Sequence, residues 1–341
     1  MNKKCQLRYG LPALICILAI TAAVYACFFA SFSHDDTTQF VYIDNDDNLD
    51  SLNAKLDTIG NWYALTGFKT LTRHSQYAEN LRTGRFAVEP GQSTLSLFRK
   101  LKNGIQSPIR LTIPSVRTID RLTKELARHI MADSTAIADV LNDSAEIALL
   151  GYNRQTLPAL FIPNTYEVYW NIAPKSLLLR MHKEHKRFWG SERQARADAL
   201  HLTETQVATL ASIVDEETTN DAEKPTIAGL YYNRLQHGML LQADPTVKYA
   251  VGDFTLQRIY NYHLTIDNPY NTYRYKGLPP GPIRIPSVAG IDAVLHMQRH
   301  NYLYMCAKED FSGTHNFAAT LAEHQQNARR YVQALNARGI R

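Results

Sequence analysis

Thr205 to Thr218 reads TQVATLASIVDEET. Val207, Leu210, Ala211 and Val214 recur at i, i+3, i+4 and i+7, the spacing of one face of an amphipathic helix. Three acids, Asp215, Glu216 and Glu217, close the segment. At about 100° per residue Glu217 falls about 60° from Val214, on the edge of the apolar arc, while Asp215 and Glu216 point to the sides and to solvent. A carboxyl on the apolar side is desolvated, so its charged form is disfavoured and it holds a proton towards neutrality, as a general acid must. A solvated acidic helix end fits the same spacing, although acids at a helix C-terminus oppose the macrodipole.

The flanking sequence predicts an α-rich domain over residues 115–341. Its first part is helical in pattern, with Ile119, Leu122, Leu126, Ile130 and Met131 at apolar positions. Three long loops, 158–169, 238–247 and 267–286, mix aromatics, amides and prolines, and function tends to sit on such loops. Ahead of this lies a smaller α/β unit within residues 34–114. Phe86-Ala87-Val88 reads as a strand, Glu89-Pro90-Gly91 as a turn, and Ser93 or Thr94 as the cap of a helix running through Leu97, Phe98 and Leu101 to Gly104. Pro108 to Pro114 alternates as a strand should. Residues 35–56 are polar and read as a stalk, with one strand-like run at Phe40-Val41-Tyr42-Ile43. The fold class is therefore α+β.

Length and composition agree: 341 residues leave room for two domains, and 45 % apolar with 20 % charged residues is ordinary for a folded chain. A net charge of +5 with no long Lys/Arg run sets nucleic acid aside. Leu11 to Phe32 (LPALICILAITAAVYACFFASF) carries no charge and is long enough to cross a hydrocarbon core of about 30 Å. We read residues 11–33 as a retained single-pass anchor and residues 1–10 as a cytoplasmic tail. Lys3, Lys4 and Arg8 precede the span, and Asp35 and Asp36 follow it, which predicts that everything after Ser33 is outside the inner membrane. A cleaved signal and a lipoprotein signal at Cys27 compete with this reading. The apolar run, however, continues through Phe28 and Phe29, and Tyr25-Ala26 is a poor small-residue approach. With Cys5, Cys16 and Cys27 in the tail and span, only Cys306 is exported, and it has no partner for an intramolecular disulfide.

Beyond the acids, Ala228 to Val251 (AGLYYNRLQHGMLLQADPTVKYAV) is a helix broken by Gly238 that leads into Gln242, Asp244, Pro245 and Thr246. Together with Asp215-Glu216-Glu217-Thr218, Asn233-Arg234-Leu235, Tyr249, Pro269-Tyr270-Asn271-Thr272-Tyr273, Gly277 to Ile283 and His315-Asn316-Phe317 with Thr320, Glu323 and His324, this block resembles the YceG-like endolytic murein transglycosylase family. Residues 84–114 resemble that family's LysM-like domain more loosely. The match spans nearly the whole exported chain. Two positions depart from the family pattern: Asp215 replaces the first Glu of Glu-Lys-Glu-Thr, and Asn164 stands where Asp is common.

The resemblance implies that Glu217 is the catalytic acid of an enzyme acting on peptidoglycan glycan strands, with peptidoglycan synthases as partners. It would cut the bond between N-acetylmuramic acid and N-acetylglucosamine, terminating or trimming nascent strands. The C6 hydroxyl of the muramic ring would attack its own anomeric carbon and leave a 1,6-anhydro end, so that one carboxyl suffices and no water need be held. Gln242, Asp244, Thr246, Asn271, Thr272, Tyr273 and His315 are the expected substrate contacts, being donors, acceptors and a ring face suited to acetamido groups and hydroxyls. A loop-stabilising role is equally open to each. Asp244 before Pro-Thr can bond local backbone N–H groups, or it can act as the second carboxylate of a hydrolytic muramidase. A noncatalytic glycan-binding protein is the third reading. The nine-residue spacing of His315 and His324 fits no compact two-ligand motif and Cys306 is alone, so no metal and no cofactor are expected.

Overall fold

The computed structural model describes residues 3–256 and 258–339, with side chains from Gly10 onward. The side chains of Lys3, Lys4, Cys5 and Arg8, which carry part of the topology argument, lie outside the described residues. The chain is a mixed α/β protein with a helical majority, and it divides into two compact units.

The first unit comprises Met1–Leu111, His129–Ala132 and Glu167–Ile172. It opens with α1 (Lys3–Phe28), whose Gly10–Phe28 stretch has a mean hydropathy of 2.3 and no buried residue. The chain then forms β1 (Gln39–Ile43), α2 (Leu49–Asp57), α3 (Trp62–Arg73), β2 (Gly84–Val88), α4 (Thr94–Asn103) and β3 (Ile109–Thr112). β1 and β2 pair antiparallel, Val41 opposite Phe86. Ser93 caps α4, its Oγ accepting from Ser96 N at 3.3 Å, and Gly104 at φ +67° ends it, as a left-handed C-cap favours glycine.

Residues 35–56 are not a stalk. Val41 and Ile43 of β1 and Leu52 and Leu56 of α2 are buried in one core with Phe86, Leu97 and Leu101, because β1 needs β2 as its partner and α2 has an apolar side to bury. Asn48 caps α2, accepting from Asp50 N and Ser51 N at 2.9 Å each. The end of α1 is tied to the same core. A Cβ on Gly67 of α3 would lie 2.1 Å from the Cys27 carbonyl oxygen, an approach only glycine permits. Four residues beyond α1, Phe32 is fully buried and meets Phe68 edge-on, ring centroids 6.3 Å apart.

The second unit comprises Thr112–Arg128, Asp133–Tyr166 and Ala173–Arg341. Its helices are α5 (Ile119–Ala127), α6 (Ser134–Asn142), α7 (Ser144–Leu149), α8 (Pro174–Phe188), α9 (Ser191–Ala199), α10 (Glu204–Glu217), α11 (Lys224–Gln236), α12 (Asp244–Val251), α13 (Asn261–Leu264), α14 (Val288–Leu295) and α15 (Leu321–Ala337). Strand β4 (Thr165–Val168) lies between α7 and α8, and the hairpin β5 (Tyr304–Ala307) with β6 (His315–Ala318) precedes α15.

Helix α10 is the axis of this unit, and here the one-faced reading fails. Every residue from Val207 to Asp215 is buried, polar Thr209 and Ser212 included. Helices α9, α11, α12 and α14 and the turn Leu157–Leu160 surround it. Its polar side chains are satisfied internally: Thr209 Oγ1 donates to Thr205 O at 2.7 Å, while Ser212 Oγ accepts from Ile283 N at 3.0 Å. A helix covered on all sides has no solvent face against which its acids can be phased.

Candidate active site

The three acids that end α10 are distinguished by their partners. Asp215 is buried and held by Lys224 Nζ at 2.8 Å, Ser287 N at 2.6 Å and Ser287 Oγ at 2.8 Å. Burial works against the Lys224 charge, but its bonds to Asp215 and Asp221 prevail and keep the ammonium protonated above its ordinary range. Glu216 accepts a two-pronged bond from Arg117, Nε at 2.8 Å and Nη2 at 2.6 Å, and a third from Arg284 at 3.1 Å. Neither acid faces water as expected. Both fasten α10 to its surroundings, Asp215 to the start of α14 and Glu216 to two arginines.

Among the described residues Glu217 forms no salt bridge. Its Oε1 accepts from the Tyr231 hydroxyl at 2.6 Å, and its carboxyl lines a cleft of about 230 Å³. Burial pushes its proton affinity up, the Tyr231 bond pulls it down, and the charge of Asp244 raises it again, leaving a pKa of about 7. This is the combination a general acid needs near neutrality.

Of the residues expected beside it, Gln242, Asp244, Tyr273 and His315 line this cleft with Glu217. Gln242 sits at φ +52°, a left-handed backbone that non-glycine residues rarely adopt. It is held there because its N–H donates to Thr272 O at 3.1 Å and its Oε1 accepts from Arg234 Nη1 at 3.3 Å. Asp244 stands at the exposed first position of α12 and bonds no local backbone N–H; it accepts from the Tyr273 hydroxyl at 2.6 Å. Burial, and secondly the bond to Asp244, hold the Tyr273 phenol protonated well beyond its usual range. His315 is braced from behind by Glu223.

Thr246, Asn271 and Thr272 are placed differently. All three are buried, and their polar atoms are spent inside the protein. Thr246 Oγ1 donates to Ala243 O at 2.6 Å and lies 2.8 Å from Thr272 Oγ1, which accepts from Ala243 N at 3.0 Å. Asn271 donates to Leu264 O and Ile266 O at 3.0 and 2.8 Å. These three residues shape the loop that presents Gln242 and Tyr273; they do not reach the cleft themselves. Asn164 is exposed and accepts from Thr165 N at 2.7 Å, away from the cleft.

Sequence reasoning did not single out Tyr231, Arg234 as a cleft residue, or Glu223. Tyr231 follows Ile227 by four and so shares the buried face of α11, where a hydroxyl must find an acceptor. Arg234 follows Tyr231 by three and spends its guanidinium on Leu303 O at 2.6 Å and Leu241 O at 2.8 Å. Glu223 had no signal beyond Pro225, which marks the start of a helix.

A carboxyl whose pKa is raised to about 7, set in a polar cleft on an α-rich unit, is suited to general acid catalysis. Residues 41–330 match the YceG-like family, and the chain belongs to it. It is 33 % identical over 218 residues to an endolytic murein transglycosylase of Bacillus subtilis, covering 64 % of this chain and 56 % of that protein. It is 26 % identical over 302 residues to an endolytic murein transglycosylase of Streptococcus pneumoniae, covering 78 % and 53 % respectively. The chain thus spans about half the length of the curated relatives it matches. A crystal structure of a YceG-like protein from Listeria monocytogenes has the same fold, with a TM-score of 0.57 and 24 % identity over 86 % of this chain and 99 % of that one.

Proposed function

We propose that the chain is an endolytic lytic transglycosylase that cuts the bond between N-acetylmuramic acid and N-acetylglucosamine in peptidoglycan strands and leaves 1,6-anhydro ends. The observation that carries this reading is Glu217: a single carboxyl with a pKa of about 7, bonded to a phenol and not to a cation, in a cleft whose other carboxylate is engaged by Tyr273. The names of the relatives support the same substrate.

In this reaction Glu217 gives its proton to the departing glycosidic oxygen. The C6 hydroxyl of the muramic ring closes on the anomeric carbon, and the C6 proton then needs an acceptor, a role open to the carboxylate just formed. Gln242, Tyr273 and His315 supply donors and acceptors for the sugar. Analysis of digested strands by mass spectrometry tests the reading, since an anhydro end is one water lighter than a hydrolysed one. Anhydro ends without heavy oxygen from labelled water are expected. Labelled reducing ends would instead establish hydrolysis, the chemistry of a muramidase, for which Asp244 is the candidate second carboxylate.

The finer layout belongs to the same proposal. Helix α1 is the single-pass anchor in the inner membrane, with the catalytic unit on the outer side and nascent strands and their synthases within reach. The β2–α4–β3 segment is the LysM-like element. Protease added outside spheroplasts should degrade the chain after Ser33, and protection of that part would overturn the orientation.

A further inference from the structure

His315 is held in a way that a simple sugar contact does not require. Its backbone N–H donates to Glu223 Oε1 at 2.7 Å, and its ring Nδ1 lies 2.9 Å from Glu223 Oε2. The Glu223 side chain is 8 % exposed and the His315 side chain 17 %. A carboxylate can only accept, so in the neutral ring Nδ1 carries the hydrogen and Nε2, on the opposite edge, keeps the lone pair. Among the described residues Nε2 has no hydrogen-bond partner, and the ring lines the cleft that also holds Glu217. A buried carboxylate that fixes a histidine tautomer and steadies its cationic form is the arrangement by which proteins make a histidine a base.

We propose that His315 Nε2, rather than the Glu217 carboxylate, takes the proton of the C6 hydroxyl, with Glu223 as the residue that positions it. This rests on the transglycosylase reading above. The glycosidic bond between the anomeric carbon and the leaving oxygen breaks while Glu217 protonates that oxygen. The bond from the C6 oxygen to the anomeric carbon forms while the C6 proton passes to Nε2. Glu217 ends as carboxylate and His315 as imidazolium, and return of one proton from His315 to Glu217 resets the site. No water is consumed, and no other reagent is needed.

The test compares wild type with His315→Asn, whose side-chain amide can replace the Nδ1–H donor to Glu223 but offers nothing at Nε2. Cleavage of purified glycan strands is followed with and without added imidazole, with melting as the folding control. We expect kcat to fall by about 10²-fold or more, as loss of a general base does, with KM within about threefold. Added imidazole should restore part of the turnover in proportion to its free-base concentration. A variant within about threefold of wild-type kcat, or one whose loss imidazole does not relieve, overturns the proposal. Should His315→Asn fail to fold, Glu223→Gln decides. A fall in kcat at unchanged KM supports the proposal, and an unchanged kcat sinks it. Heavy oxygen in the ends made by wild type would instead overturn the transglycosylase reading, an outcome distinct from anhydro ends made without help from His315.

Discussion

At Glu217 two opposing influences meet on one carboxyl: burial holds its proton, and the Tyr231 hydroxyl favours its charged form. Tyr231→Phe removes the second, so the acid should stay protonated to higher pH and the alkaline limb of the turnover profile should move upward. Profiles of the two proteins over pH 5 to 9 check this. Glu217→Gln cannot deliver a proton, and turnover should fall by at least about 10² to 10⁴ in the same assay. The same substitution has a stability signature. The folded chain binds this proton more tightly than the unfolded one, so the contribution is complete below the ordinary value of 4.5 and is lost as pH rises through about 7. The interval between those values, at about 1.4 kcal/mol per pH unit, sets an upper bound of about 3.5 kcal/mol. Glu217→Gln should therefore melt with wild type at pH 4 and above it at pH 8.

At the scale of the helix, the end of α10 is fixed by its two other acids. Asp215→Asn leaves the buried Lys224 ammonium short of a partner, which costs about 3 kcal/mol or more when nothing compensates. Because Asp221 also reaches Lys224 at 2.8 Å, the loss should fall at the lower end of that range. Denaturant melts of the purified variant measure it. A surface carboxylate would have been almost free to replace, and that was the expectation from helical phase alone. The phase argument used only residues within α10, whereas the partners of Asp215 and Glu216 arrive from Arg117, Lys224, Arg284 and Ser287. Local signals fared better. The Ser93 cap, the Gly104 stop, the break at Gly238 and the strand at Phe40 to Ile43 are each decided by a few neighbouring residues, and each is present. For Thr246, Asn271 and Thr272 the sequence left substrate contact and loop stabilisation equally open, because hydrogen-bonding residues on a polar loop look alike whether they face a ligand or one another.

Over the whole molecule, the sequence distinguished a long N-terminal apolar helix and a mixed α/β chain with a helical majority, because hydrophobic length and period survive without tertiary information. It did not disclose that β1 and α2 belong to the folded core of the first unit, since both are short and polar outside and only their packing reveals them. Cys27 lies against Gly67, Ser31 bridges Ser93 and Ser33 bridges Gly60, so no slack separates α1 from the core of the first unit. Inserting about ten Gly/Ser residues between Phe29 and Ala30 would supply that slack. With α1 as the anchor, the glycan released by such a variant in membranes should have a broader length distribution than wild type, measurable by chromatography of strands. An unchanged distribution would mean the junction has no bearing on where cuts fall. If α1 is the anchor, as proposed, the native joint acts as a post and not a leash, and the core of the first unit stands at one height above the bilayer.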